Sequence, residues 1–307
     1  MTKIIEVDRG FSVWWHLMRP HTLTASFAPV ILGTTIALVI EKHSINWLLF
    51  FAMLIASMLI QAATNMFNEY YDYKRGLDNE NSVGIGGTIV RHGVAPKTIM
   101  QIAIVFYIIA ALLGVYICAE SSWWLAVIGL VCMLIGYLYT GGPLPIAYTP
   151  FGELISGAVM GMGIVLITFF IQVGDVTLEA ILLSVPSMIL VGAIMLANNI
   201  RDIEGDKEGG RKTLAILVGR KNAIYILSIF FIISYLWILG LVIIEDVSYW
   251  ALLVLLSTPL PIKAIEIFYN KEKPIDCLPA MKQTSKTNTI FAFLLSAGLL
   301  ISYLFSQ

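Results

Sequence analysis

Long apolar runs decide what this chain can be. Nine stretches of roughly membrane-spanning length, near 22–40, 47–67, 98–118, 122–140, 152–173, 177–199, 223–244, 248–269 and 289–305, fill most of its 307 residues. A helix crosses the hydrocarbon core of a bilayer with about 20 apolar residues, and only helices and closed barrels satisfy their backbone groups there. Only 13% of the residues are charged and 58% are hydrophobic, which excludes an ordinary soluble domain with roughly a quarter charged. The expected fold is all-α: one transmembrane domain over residues 1–307, with about nine helices around a central cavity.

Basic residues orient such a chain. With nine spans, the N-terminus and the 2–3, 4–5, 6–7 and 8–9 loops share one side and carry 17 of the 19 Lys and Arg, leaving Lys42 opposite and Lys263 in the eighth span. The positive-inside rule makes that side cytoplasmic, in a multi-pass protein of the cell membrane. The N-terminal segment, with Glu6 and Asp8, lacks the basic-then-apolar build of a cleaved signal, so the first span is expected to be retained. A net charge of −1 says nothing about partners; the bilayer is an expected one and nucleic acid is not.

Two polar patches interrupt the apolar pattern: Asn68-Glu-Tyr-Tyr-Asp72-Tyr-Lys-Arg-Gly-Leu-Asp78 and Asn198-Asn-Ile-Arg-Asp202-Ile-Glu-Gly-Asp206. Each has Asn followed four residues later by Asp, and a helix places positions i and i+4 on one face. An amide oxygen beside a carboxylate suits a hard divalent cation such as Mg²⁺, which takes oxygen ligands and bridges them to phosphates. Eight of the 20 acidic residues lie here: Glu69, Asp72, Asp78, Glu80, Asp202, Glu204, Asp206 and Glu208. Solvated acidic loops are the plain alternative, but two matched clusters, each with Asn one turn before Asp, argue against it.

The patches end the second and sixth spans, both on the cytoplasmic side. Four spans separate them, which suggests two four-helix units related by an axis along the membrane normal, with a ninth helix appended and one cavity beneath both patches. Lys74, Arg75 and Arg91 accompany the first patch, and Arg201, Lys207, Arg211 and Lys212 the second. Metal plus Lys and Arg is what an oligophosphate needs. Lys212 and Arg201, flanking the second Asp pair, are the preferred contacts, although positive-inside bias explains part of this basic content.

Cys118, Cys132 and Cys277 show no metal or disulfide spacing, and the four His are scattered. A cation-coupled transporter is the main non-enzyme alternative, but its charges belong near mid-membrane and these lie at helix ends. A structural membrane protein leaves the paired motifs unexplained, and the Asp-Gly and Ala-Arg spacing of CDP-alcohol phosphotransferases is absent.

The two Asp motifs, with Gly210-Arg-Lys-Thr-Leu-Ala215, resemble those of the UbiA superfamily of intramembrane prenyltransferases over nearly the whole chain. Arg19-Pro-His-Thr-Leu23, Ser82-Val-Gly-Ile-Gly-Gly-Thr-Ile-Val-Arg91, and Tyr139-Thr-Gly-Gly-Pro143 followed by Tyr148 and Gly152-Glu153 are most similar to its 1,4-dihydroxy-2-naphthoate polyprenyltransferases of menaquinone synthesis. Two departures stand out: Glu69 where Asp is common, and His21 where Lys is common. The resemblance implies that Asn68, Asp72, Asn198, Asp202 and Asp206, assisted by Asp78, hold two Mg²⁺ against the diphosphate of a polyprenyl donor. Asn68, Asp72, Asp202, Asp206 and Tyr139 are then the catalytic set, and Arg19, Lys74, Asn198, Arg201, Lys207 and Lys212 bind substrate. The acceptor implied is 1,4-dihydroxy-2-naphthoate, prenylated with loss of CO₂; 4-hydroxybenzoate, haem-type and lipid acceptors stay open. Tyr70, Tyr71, Tyr137 and Tyr139 are expected near the cavity. Gly84, Gly86 and Gly87 are expected to form a capping segment, and Pro259 and Pro261 to kink the eighth span and open a lateral gap.

Overall fold

The computed structural model describes residues 10–78, 87–244 and 247–305. Glu80, Gly84 and Gly86, with most of the stretch that opens at Ser82, lie outside them.

The elements in chain order are α1 (Phe11–Leu17), α2 (Pro20–Val39), α3 (Trp47–Lys74), α4 (Thr88–His92), α5 (Pro96–Glu120), α6 (Trp124–Leu138), α7 (Gly152–Ser156), α8 (Ile164–Val173), α9 (Leu178–Arg201), α10 (Ile203–Glu208), α11 (Leu214–Val218), α12 (Arg220–Ile243), α13 (Pro259–Asn270) and α14 (Pro274–Phe305). No strand occurs among the described residues. A π-helical stretch, Gly157–Gly163, joins α7 to α8 as one span, Gly152–Val173, and the 3₁₀ segment Tyr249–Ser257 runs into α13 as another, Tyr249–Asn270. Among the described residues eight helical spans are long and apolar enough to cross a bilayer, and the apolar α6, with 15 residues, completes the expected nine. At 1.5 Å per residue α6 is only about 22 Å long.

Local chemistry explains the helix ends. Asn46 caps α3 by accepting from the Leu48 and Leu49 N–H groups, and Thr177 caps α9 through Ala180 N–H. Gly141 and Gly142 follow α6, and Gly142 takes the left-handed φ that the turn requires. α14 begins well before the expected 289. Its polar first half stays helical because Lys282 and Lys286 are exposed while Thr284, Ser285 and Asn288 are buried on the inner face.

α3 packs against α5, α9 against α12, and α14 against α2, so the last helix closes the bundle onto the first. Small residues allow the close approaches: a β-carbon at Gly33 of α2 would collide with the Val165 carbonyl of α8, and one at Gly161 would lie 2.5 Å from the Ser187 carbonyl of α9. Exposed Trp47, Trp123, Trp124 and Tyr249 mark the end opposite the polar motifs, an aromatic girdle of the kind found at membrane interfaces. Pro259 does mark a break, since the 3₁₀ segment stops at Ser257 and α13 starts at Pro259. No residue of 249–270 lines either of the two cavities described below.

Candidate active site

On α3, Asn65, Asn68, Glu69 and Asp72 follow at helical spacing, so they form one stripe over the last turns of the helix. On α9, Asn198 and Asp202 do the same, and the stripe continues into α10 because the Asp206 N–H donates to the Asp202 carbonyl at 2.8 Å. The two stripes end at the same side of the bundle and face a cleft of about 520 Å³. Asn68, Asp72, Asp78, Asn198, Asp202 and Asp206 all line it.

Arginine, not lysine, supplies the positive charge in this cleft: Arg19, Arg75, Arg201 and Arg211 are in its walls. Lys74, Lys207 and Lys212 are exposed and outside it. The reason is geometric: Lys207 and Lys212 each adjoin a residue that points inward, Asp206 and Arg211, and a neighbour on a tight turn points elsewhere. Arg211 joins the two motifs, donating from Nη2 to Asp72 Oδ1 at 2.5 Å and from Nη1 to Asp206 Oδ1 at 2.8 Å. The turn at Gly209-Gly210 makes this possible, with Gly210 at φ +76° and the Arg211 N–H donating to the Asp206 carbonyl. That double glycine after Asp206 was the sequence signal for a chain reversal bringing Arg211 back to Asp206. Arg201 grips its neighbour Asp202 through two nitrogens and reaches Met281 Sδ. Arg75 donates to the Thr140 and Gly142 carbonyls, so it braces the turn after α6.

Titration follows from burial and charge. Burial pushes the Asp78 carboxyl up to about 6, with Asp72 adding repulsion. Burial also lifts Asp206 to about 6 against the pull of Arg211. For Arg211, burial opposes the charge, but Asp72 and Asp206 outweigh it and hold the guanidinium above its ordinary value.

Glu69 belongs to the same stripe but does not line the cleft. It is 1% exposed, and its carboxylate accepts from the Gly87 N–H at 2.8 Å and the Ile89 N–H at 3.2 Å while lying 3.7 Å from Arg19. The longer side chain therefore reaches the start of α4 and anchors it. Asn65, unremarked in the sequence, donates to the Met18 carbonyl and to Thr22 Oγ1, clamping the turn in which Arg19 takes φ 51° before Pro20. Proline disfavours right-handed helical backbone in the preceding residue, so Arg19 is presented at the cleft by a fixed turn.

Beneath the cleft lies an apolar cavity of about 350 Å³, and the two share Arg19, Thr22, Asn68, Tyr139, Met195 and Asn198. Along α3 it runs from Asn68 to Met53, roughly 22 Å at 1.5 Å per residue. It reaches Trp123 between α5 and α6, so this side of the bundle, and not the proline-broken span, lines the lipid-sized space. Tyr139 is buried at the junction, its hydroxyl seated where a β-carbon at Gly152 would lie 2.9 Å away. Tyr70, Tyr71 and Tyr137 line neither cavity; Tyr71 and Tyr137 bond to each other at 2.6 Å.

Asn68 Oδ1 is buried without a hydrogen-bond partner, an oxygen ligand available to a cation. Among the described residues no three Asp, Glu, His or Cys side chains converge as a ready-made metal cage. Mg²⁺ is typically held by one or two carboxylates completed by substrate phosphate and water, a donor set that Asn68 with the cleft aspartates could supply.

The profile of the UbiA prenyltransferase family matches residues 26–286. The 1,4-dihydroxy-2-naphthoate octaprenyltransferase of Bacillus subtilis (strain 168) is 62% identical over 291 residues, spanning 95% of this chain and 93% of that protein. Among solved structures, a UbiA homolog from Aeropyrum pernix K1 superposes with a TM-score of 0.67 at 15% identity, over 92% of this chain and 98% of the other. A UbiA homolog from Archaeoglobus fulgidus, solved with DMAPP and Mg²⁺, superposes with a TM-score of 0.61 at 15% identity, over 94% and 99%; at such identities the likeness concerns fold alone. The chain belongs to the UbiA prenyltransferase family.

Proposed function

We propose that this enzyme transfers a polyprenyl group from its diphosphate to 1,4-dihydroxy-2-naphthoate, with Mg²⁺, at the cytoplasmic face of a bacterial plasma membrane. The observation that carries this reading is the junction of a charged cleft with an apolar cavity at Asn68, Asn198, Tyr139 and Arg19. A molecule filling both has a multiply anionic head and a long hydrocarbon tail, as a polyprenyl diphosphate does. The naphthoate rests on the relative from Bacillus subtilis that carries this name. A transporter is disfavoured because the charged groups cluster at helix ends.

Asn68, Asp72, Asn198, Asp202 and Asp206, with Asp78 beside them, would hold the metal. When bound, Mg²⁺ neutralises charge growing on the departing diphosphate. Arg19, Arg75, Arg201 and Arg211 line the same cleft and would add positive charge toward those oxygens, and such charge acts strongly where water is excluded. As the allylic C–O bond breaks, the carbon chain becomes a cation in the apolar cavity, whose walls keep water from trapping it. Tyr139 lines both the cleft and the cavity, where its ring can stabilise the cation. The ring carbon bearing the carboxylate forms the new C–C bond, and the C–CO₂ bond breaks to restore aromaticity, giving demethylmenaquinol.

Product mass tests the acceptor. Purified protein given polyprenyl diphosphate, Mg²⁺ and the naphthoate should yield acceptor plus prenyl group minus CO₂. A product retaining the carboxylate would mean attack at another carbon and would remove this assignment.

Orientation has its own test. In a cysteine-free background, Glu208→Cys should react with an impermeant thiol reagent only from the cytoplasm, and Glu41→Cys only from outside. Labelling of both from one face would refute the nine-span arrangement.

A further inference from the structure

One arginine joins the two aspartate motifs. Arg211 uses different nitrogens for Asp72, at the end of α3, and Asp206, in α10. Its side chain is 14% exposed, against 16% for Asp72 and 8% for Asp206. The guanidinium also lies 5.4 Å from the centre of the Tyr148 ring. Two largely buried carboxylates brought together from opposite halves of the bundle repel each other unless a cation joins them, and here the chain provides that cation itself. The grip is incomplete, because Arg211 Nε is buried with no hydrogen-bond partner. A guanidinium has five N–H donors in a planar fork suited to phosphate oxygens. Arg201 differs, pairing with its sequence neighbour Asp202 and joining no motifs.

We propose that Arg211 is an exchangeable internal counter-cation. It holds Asp72 and Asp206 until a diphosphate arrives, then transfers to the diphosphate and leaves the carboxylates to the metal. The inference rests on the metal and diphosphate reading given above. A divalent cation entering alone would share the carboxylates with a resident positive charge, so it binds weakly. A diphosphate reverses that balance by drawing the guanidinium off and adding its own oxygens. Metal and diphosphate are therefore positively coupled, and linkage makes the coupling equal in both directions. One consequence is that the site does not sequester cellular Mg²⁺ in the absence of donor.

The test uses the full chain in detergent micelles, with Mn²⁺ as the metal probe and inorganic pyrophosphate as the head-group probe. Equilibrium dialysis measures the excess of Mn²⁺ in the protein chamber, which corrects for Mn²⁺ complexed by free pyrophosphate. Wild type should bind Mn²⁺ at least about tenfold more tightly when pyrophosphate is present. Arg211→Gln should bind Mn²⁺ alone about tenfold more tightly than wild type and show little further gain from pyrophosphate, as removal of the competing charge requires. Arg211→Lys, which keeps the charge but cannot grip two carboxylates with a planar fork, should fall between them and serves if Arg211→Gln does not fold. Arg211→Gln or Arg211→Lys binding Mn²⁺ alone no more tightly than wild type would overturn the exchange. If wild type still takes up Mn²⁺ with pyrophosphate and Asp72→Asn with Asp202→Asn abolishes that uptake, the metal site itself survives such a result. No uptake by wild type under any condition would remove both readings.

Discussion

Asp72→Ala and Asp202→Ala should each slow prenyl transfer by about a thousandfold, equivalent to ~4 kcal/mol of lost transition-state stabilisation at 1.36 kcal/mol per tenfold. Each contributes a carboxylate to the cleft from a different half of the bundle, so neither can replace the other. EDTA should have the same effect on wild type, and Mg²⁺ or Mn²⁺ should reverse it. The folded state should survive, because both side chains sit at helix ends and their arginine partners keep other contacts: Arg211 with Asp206, Arg201 with Met281. Initial rates at saturating donor measure the loss, and elution as a monodisperse species on size exclusion confirms folding. Either variant retaining a tenth of wild-type activity would remove that residue from the metal site. A pH dependence accompanies this. Burial holds the Asp78 and Asp206 carboxyls near 6, so below that pH both take up protons and lose their attraction for a cation. The Mg²⁺ concentration for half-maximal rate should therefore rise as pH falls through about 6 and be flat above pH 7.

Glu69→Leu should cost about 2–4 kcal/mol of stability, the largest loss expected from any single change in the polar motifs. The buried carboxylate is the acceptor for the Gly87 and Ile89 N–H groups and lies beside Arg19. Leucine fills the volume but leaves these donors buried without an acceptor, and each unsatisfied group costs roughly 1–3 kcal/mol. Glu69→Gln keeps one acceptor oxygen and should lose less than half as much. A thiol-reactive dye reports unfolding through the buried Cys118 and Cys277, so a thermal ramp with that dye compares the three proteins. Equal midpoints for wild type and Glu69→Leu would show that the anchor contributes nothing.

Sequence reading picked out the carboxylates with Arg19 and Arg201, but preferred Lys212 to the Arg211 that pairs with Asp72 and Asp206, and the difference is physical. Asn68, Asp72, Asn198, Asp202 and Asp206 follow helical periodicity, and periodicity is local: once α3 and α9 are helices, the residues at i and i+4 must share a face. Basic residues near the motifs carry no such constraint. Lys212 and Arg211 are adjacent in sequence, and only the turn at Gly209-Gly210 determines that Arg211 enters the cleft while Lys212 stays exposed. Lys74 and Arg75 divide in the same way at the end of α3, Arg75 turning inward to the Thr140 and Gly142 carbonyls. Tyr139 was separable from Tyr70, Tyr71 and Tyr137 only by packing, since nothing local shows that Gly152 makes room for its hydroxyl.

What the amino-acid order determined by itself was the all-helical membrane fold, its span count to within the short α6, and the two Asn–Asp stripes. These follow from hydrophobicity summed over about 20 residues and from the helical repeat, both properties of contiguous chain. The tertiary structure alone decided which side chains close the circuit between the stripes. It joined Asp72 to Asp206 through Arg211, turned Glu69 away to anchor Gly87 and Ile89, and placed the apolar cavity beside α3, α5 and α6 instead of behind Pro259. Such pairings depend on how helices distant in sequence pack, where small residues such as Gly33 and Gly161 set the closest approach.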